Sequence, residues 1–468
     1  MTPIGRRAAL WCGSAVLLLA VPDTGAGGDR TNIAGVGMAR TSVATSRGIA
    51  AVGINPANLA ISRGETVEIS LVPFGVHVGS DFMTYGIYTD YFTGVETDTG
   101  RFAKYLTDAD KRRILDSFSE ETGYVGGDGV SRPLGVLVRV GGSLAVALSV
   151  TERVVGFGEV PKAYLEFLFY GNPPGSVYDF SATKAAASWT REYGLTVASE
   201  LPAIGFLRSL SAGIGLKLVH GYGYLEIARF NSRLATSPGG ALDGTIDVLT
   251  RMTVIEPFQD GGSGAYSVFP DPVGSGFGID LGLSAEVSDG LRAGLSVTDI
   301  GTIQWRRDID EFSSVSLIHF DDPLSESQRD SIEDAIHGES RDGEAFSTSL
   351  PTVLHVGFAV ELHKLDLFRP LILGELTVGF DYHQGFSRVP GATPRPRFST
   401  GLEYRPVSFL PLRAGLSVGG STSTHFALGF GIHMGVFELD VASENLGWVF
   451  SPDSFSHGTV AVGMSFRL

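Results

Sequence analysis

The sequence predicts an all-β fold: a transmembrane antiparallel β-barrel of 14 to 16 strands, with a separate N-terminal segment packed against it. Three observations predict it. First, Leu134–Val150 alternates in steps of two, with Leu134, Val136, Val138 and Val140 on one side and Gly135, Leu137, Arg139 and Gly141 on the other. Successive side chains of a strand point to opposite faces, so this period marks strands. After Gly141-Gly142, a pair suited to a tight hairpin turn, the pattern restarts. Second, the same unit recurs along the chain, and its apolar faces carry no charge. Third, the N-terminus reads as an export signal, while no later uncharged apolar run approaches bilayer-spanning length. Hydrocarbon tolerates only helices and closed sheets, because nothing in it satisfies a free backbone N–H or C=O.

Composition agrees. The 468 residues include 62 glycines, close to double the usual share, which suits many strands joined by tight turns. Charged residues make up only 18%, with a formal charge of −16 and no cluster of Lys and Arg. Nucleic acid is thereby excluded as a partner, since phosphate binding requires such clusters.

Residues 1–26 are expected to be a signal peptide: Arg6 and Arg7 precede the apolar run Ala8–Val21, and Thr24-Gly25-Ala26 offers small residues for cleavage. A transmembrane anchor competes, but the run is short of the roughly 20 residues a span needs. Cys12, the single cysteine, lies within this segment. The mature chain then has none, which excludes disulfides, thiolate metal sites and thiol catalysis together.

Residues 27–64 form a separate unit. Ile33–Ala44 and Gly48–Ala60 are rich in Gly, Ala, Ser and Asn without sustained alternation, and Asn55-Pro56 marks a turn. The segment reads as a compact, small-residue unit packed against something larger; a floppy linker is the competing reading. The barrel is expected over 65–468. Its first part contains an imperfect strand from Thr66, the aromatic-rich Phe82–Phe92, a long excursion over 94–131 with a helix around Asp108–Phe118, and the Leu134–Val150 hairpin. A loop near 156–185 and strands near 186–200, 207–222 and 244–256 follow. Residues 65–93, 207–234 and 290–320 each read as one strand or two. One is favoured for 65–93, because two would place the 94–131 loop on the wrong side.

The second half alternates more cleanly. Ile279, Leu281 and Leu283 oppose Asp280 and Ser284; Leu291, Leu295 and Val297 oppose Arg292 and Ser296. A charged segment at 306–349 with a helix near Ser325–Ile336 interrupts the series. Beyond it, Val356, Phe358 and Val360 oppose His355 and Glu361, and Val378, Phe380 and Tyr382 oppose Asp381 and His383. Leu412, Leu416 and Val418 oppose Arg413 and Ser417, and Phe437, Leu439 and Val441 oppose Glu438 and Asp440. Alternation does not say which face looks outward; charge does. A charge at the midplane of a lipid-facing surface costs about 2–4 kcal/mol, so uncharged faces over so many strands fit an outward apolar surface. A sheet this wide also leaves a lumen that side chains do not fill, which suits small polar inward faces. A secreted sandwich or solenoid is the alternative.

The chain ends in register, with Val460, Val462, Met464, Phe466 and Leu468 on one face. Gly463, Phe466 and Leu468 resemble the C-terminal targeting strand of bacterial outer-membrane barrels, apart from the terminal Leu where most have Phe or Trp. That resemblance implies the barrel-assembly machinery as a partner. Gly48–Ala60, GIAAVGINPANLA, resembles the Asn-Pro-Ala signature of FadL-like and PorV-like outer-membrane barrels. Asn55, Pro56 and Ala57 match, and Asn58 stands where many relatives carry Gly or Ala. Gly276–Leu283, Asp299-Ile300-Gly301 with Trp305, read as a turn, and Leu412–Gly419 extend the likeness. It implies about 14 strands, a hatch inside the barrel, and a Gram-negative outer-membrane location among lipid.

Chemistry is expected to be absent: no enzyme, no cofactor and no metal. Gly415-Leu-Ser417-Val-Gly419 has the hydrolase spacing, but a nucleophile elbow needs a strand-to-helix turn and this lies within a strand. Gly429-Phe-Gly431 precedes no helix. His355, His383 and His433 fall on polar faces that meet in the lumen, without visible second-shell support. Trp189, Trp305 and Trp448 lie near strand ends, where packing or a membrane-interface girdle accounts for them. The expected function is passive transport of hydrophobic or amphipathic small molecules, with Tyr164–Tyr170 and Phe82–Phe92 as an apolar entry site. The alternative is a non-transporting surface scaffold linked to protein secretion, as in PorV-like barrels.

Overall fold

The computed structural model describes residues 29–61, 64–98, 100–141, 143–258, 267–322, 325–420, 424–445 and 451–468. The expected signal peptide and Trp448 lie outside them. Fourteen antiparallel strands close on themselves. They are β1 (Val67–Ser80), β2 (Thr122–Val140), β3 (Leu144–Pro161), β4 (Lys184–Leu201) and β5 (Ser209–Phe230). Next come β6 (Leu242–Val254 continued by Gly274–Ser288), β7 (Leu291–Trp305 continued by Ile309–Phe320) and β8 (Phe346–Ser349 continued by Val353–Glu361). The rest are β9 (Glu375–Gly385), β10 (Arg397–Arg405), β11 (Leu412–Gly419), β12 (Thr424–Met434), β13 (Phe437–Glu444) and β14 (His457–Arg467). Closure is made by β1, which pairs with β2 through Ile69 opposite Val136 and with β14 through Ile69 opposite Phe466. The Thr66 N–H donates to the Leu468 carbonyl at 2.8 Å, so the barrel starts and ends at one rim. Long connections gather at the opposite rim.

The faces follow charge. Phe277, Phe358, Phe380, Phe398 and Phe426 are exposed on the outside, whereas Asp280, Arg292, Glu361, Asp381, Arg413 and Ser417 are buried within. Each outward aromatic therefore lies without a charged neighbour on its face, the arrangement that a bilayer demands of an outer surface. Ser417 is an ordinary inward strand residue, opposite Ser399 and His425.

Several elements differ from expectation. Phe82–Phe92 is not strand: Tyr85–Phe92 is a helix (α1), with the Thr84 side chain capping the Ile87 N–H at 3.1 Å. Helix α3 (Ala163–Tyr170) occupies most of the aromatic run near 164–170, whereas α2 (Asp108–Leu115), closed by a capping box between Thr107 and Asp110, and α4 (Glu326–His337), which follows its Ser325 cap, fall where helices are expected. Asp299–Trp305 is not a turn but strand, with a register shift at Asp299, whose φ is 58°. Trp305 and Trp189 do not face lipid. Trp305 is fully buried, stacks on Tyr224 at 5.2 Å and donates to Thr348 at 2.9 Å, while Trp189 packs on Tyr222. Both strands run past the expected membrane band, where an indole finds partners inside the wall rather than a headgroup layer.

Candidate functional site

The barrel wall encloses residues 30–61. They form helix turns at Ile33–Gly37, Gly48–Ala51 and Pro56–Ala60 joined by tight turns, and nearly all are buried. Such short helices bury little on their own; they are held by the wall. The fit depends on inward-facing glycines from one strand after another. A Cβ on Gly213 would lie 2.4 Å from the Pro56 carbonyl carbon, one on Gly294 2.6 Å from Val43 O, and one on Gly415 2.3 Å from the Met38 carbonyl carbon. Gly282, Gly357, Gly379 and Gly401 meet Asn55, Val43, Thr41 and Met38 at 2.6 Å or less. Glycine is needed here for close backbone approach rather than for turn geometry.

Polar contacts complete the fit, since each buried N–H or C=O must find a partner. The Asn55 side chain accepts from the Ala57 N–H at 3.2 Å and donates to Val43 O and, across to the wall, to Leu283 O at 3.1 Å. Pro56 opens the turn that rests on Gly213 and Gly282, and Ala57 is fully buried. Asn58 donates to Val43 O at 2.9 Å and to Ser46 at 3.1 Å, bonds that Gly or Ala would not make. From the wall, Asp381 accepts from the Ser42 and Val43 N–H groups and Glu68 from Ile49 N–H. Arg132 donates to Ile49 O and Val52 O at 3.1 and 3.0 Å. Arg30, an inner-segment residue, pairs with Asp128 and with Glu444 at 3.1 Å; Arg40 meets Glu444 at 3.0 Å. Arg30, Arg40 and Arg132 do not stand out in the sequence. Only their position inside the barrel reveals them.

Beside the inner segment the wall is irregular. Ser70 pairs with Gly135, and the β1–β2 ladder resumes only at Phe74 opposite Ser131. Each strand also bulges against its other neighbour, β1 between Leu71 and Phe74 and β2 between Ser131 and Leu134. Pro73 and Pro133 occupy the interval, and proline has no N–H to donate to a ladder. Val72, at φ 46°, turns outward with Leu71, and both are exposed. A cavity of about 120 Å³ adjoins this interval, lined by Met38, Arg47, Pro73, Arg132, Arg413 and Met464 among others.

The expected histidines do not converge. His355 and His383 meet, Nδ1 to Nδ1 at 2.6 Å, with Thr298 on the far nitrogen of His355. His433 lies apart, with Glu438 3.2 Å from Nδ1 and Asp440 3.1 Å from Nε2. Those carboxylates also hold Arg467 and Arg413, while one ligand atom from each of His433, Glu438 and Asp440 lies within 4.8 Å of the others. At the C-terminus, Gly463 packs against Ile33 and Pro73, Phe466 lies 5.6 Å from Phe437, and Leu468 closes the rim.

Among solved structures, the chain is similar to the toluene transporter TbuX of Ralstonia pickettii, at 14% identity and TM-score 0.46, covering 93% of this chain and 97% of that one. It is also similar to the toluene transporter TodX of P. putida, at 12%, TM-score 0.47, 96% and 99%. A Pseudomonas aeruginosa FadL homologue gives 12%, TM-score 0.44, 96% and 99%. No curated protein matches the sequence. The model of a family described as "Family of unknown function (DUF5723)" matches residues 56–444, and the chain belongs to that family.

Proposed function

We propose that the protein is a passive channel for hydrophobic or amphipathic small molecules in the bacterial outer membrane, with the segment within 27–64 as its hatch and Asn55, Pro56, Ala57 and Asn58 as the turn that seats it. The observation that carries this reading is the lapse in the β1–β2 ladder at Pro73 and Pro133, beside both the hatch and a cavity. A stoppered lumen blocks straight passage, so a solute needs a way around the stopper. A wall interval with outward Leu71 and Val72 offers one of apolar character. Gly463, Phe466 and Leu468 serve assembly into the membrane in this reading. The exposed aromatics Tyr85, Tyr88, Phe167 and Tyr170 at the long-loop rim supply apolar contact for an arriving solute.

Uptake of an apolar fluorescent probe by Gram-negative cells making the protein tests this. Pro73→Ala combined with Pro133→Val returns two amide N–H groups to the ladder and is expected to cut protein-dependent uptake about tenfold, equivalent to about 1.4 kcal/mol. Uptake no greater than in cells without the protein would sink the channel reading. Co-purification of a large secreted partner in that case would favour the scaffold.

A further inference from the structure

The long-loop end of the closing seam carries three histidines that the channel reading does not use. His77 on β1 stands opposite Thr459 on β14, and His457 on β14 stands opposite Gly79 on β1. His425 on β12 completes the group. The ring centroids lie 4.3 Å (His425–His457), 5.9 Å (His77–His425) and 6.4 Å (His77–His457) apart. Three imidazoles around one tetrahedral ion, each nitrogen about 2.1 Å from it, have centroids about 5 Å apart. The observed spread of 4.3 to 6.4 Å brackets that value, and the rings close on an ion by turning toward one another.

The tautomer of His77 is fixed by its surroundings. Glu444 accepts from Arg30, from Arg40 and from the Thr459 hydroxyl at 2.6 Å. The hydroxyl proton is thereby committed to Glu444, so the Thr459 oxygen accepts, and His77 Nδ1 at 2.7 Å donates to it. The lone pair of His77 must then be on Nε2. That atom is buried with no hydrogen-bond partner among the described residues, as is Nε2 of His457. A Cβ on Gly79 would come 3.1 Å from His77 Nε2, so glycine leaves space beside the bare nitrogen. Buried polar atoms are normally paired, and a histidine whose other nitrogen is anchored through a hydroxyl to a carboxylate has the support of a metal ligand. Of the cations that face the group, Arg30 and Arg40 are paired with Asp128 and Glu444, and Arg397 lies beside His425.

We propose that His77, His425 and His457 form a binding site for a divalent transition-metal ion of the zinc, nickel and copper class, which ties the first strand, the last strand and β12 together above the hatch. Imidazole nitrogens select these ions over calcium and magnesium, which prefer oxygen. The proposal is independent of transport.

The test uses untagged full-length protein in detergent, its folding confirmed by heat-modifiable migration. After dialysis against zinc chloride, metal content and calorimetric titration are expected to give one zinc ion per chain, with copper bound more tightly and calcium not at all. His77→Ala with His457→Ala abolishes binding. Thr459→Val, which keeps all three rings but releases the His77 tautomer, weakens it by about 10–100-fold. His433→Ala leaves binding unchanged. If the double variant fails to fold, Thr459→Val and His77→Gln carry the test. Folded protein that binds no zinc, or zinc binding that survives Thr459→Val and the histidine substitutions, overturns the site. Loss of binding in His433→Ala also overturns it.

Discussion

Gly415→Val is expected to eliminate the folded, heat-modifiable barrel, and Gly213→Val to do the same. The new Cβ on Gly415 falls 2.3 Å from the Met38 carbonyl carbon and 2.6 Å from the Ala39 nitrogen. These are backbone atoms, so no rotamer change relieves the clash. Nor does the wall give way, because β11 is laddered to β10 on one edge and β12 on the other. Extra methylenes in a packed core typically cost about 1–3 kcal/mol when neighbours adjust. Here they have nowhere to go, and the loss should reach or pass the top of that range. Gly129→Val is the matched control: it makes the same change within a strand of the same barrel, yet its Cβ meets only Val76 Cγ2 at 3.8 Å. The control should keep wild-type stability within about 0.5 kcal/mol. Equal stability of Gly415→Val and Gly129→Val, read by thermal shift and by protease protection of the inner segment, would show that the hatch does not rest on the glycine faces.

The same glycines show where sequence reading stops. Their abundance is legible and fits a many-stranded barrel, but tight turns explain only some of them; Gly213, Gly294, Gly357, Gly401 and Gly415 lie mid-strand, facing inward. The readable signal was a small residue recurring at the inward phase of consecutive strands, which has meaning only once something is known to fill the lumen. Strand faces were legible because lipid imposes a charge-free side, as Phe358 outside and His355 inside show. Trp305 was not: above the membrane band that constraint lapses, and a large apolar residue packs wherever its edge and N–H find partners. Pro73 and Pro133 are visible as prolines, but their significance depends on being neighbours across a ladder, and pairing of strands so far apart in sequence is not written locally. Arg30, Arg40 and Glu444 stay hidden for the same reason, since their separation of some 400 residues is bridged only by closure of the barrel.

Glu444→Ala is the second substitution expected to have a large effect. Glu444 is 1% exposed and takes hydrogen bonds from Arg30 at 3.1 Å, Arg40 at 3.0 and 3.2 Å, and Thr459 at 2.6 Å. Removing it takes from Arg40 the carboxylate it meets at 3.0 Å and from Arg30 one of the two carboxylates it pairs with, Asp128 being the other. Breaking a buried pair from one side costs about 3–5 kcal/mol, because the remaining charge has lost its water and its partner together. The chain has a cheaper response than global unfolding, which is to release the first turns of the inner segment so that the two guanidinium groups regain water. The expected result is therefore rapid tryptic cleavage after Arg30 and Arg40 in a barrel whose strands stay intact, with little dependence on salt, since buried charges are poorly screened. Glu444→Gln keeps the shape and one acceptor and should fall between wild type and Glu444→Ala. Asp289→Ala removes the exposed partner of Arg208 and should change stability by no more than about 1 kcal/mol. If Arg30 and Arg40 stay protected in Glu444→Ala, the glycine faces alone hold the segment, and the ion pairs follow from its placement instead of causing it.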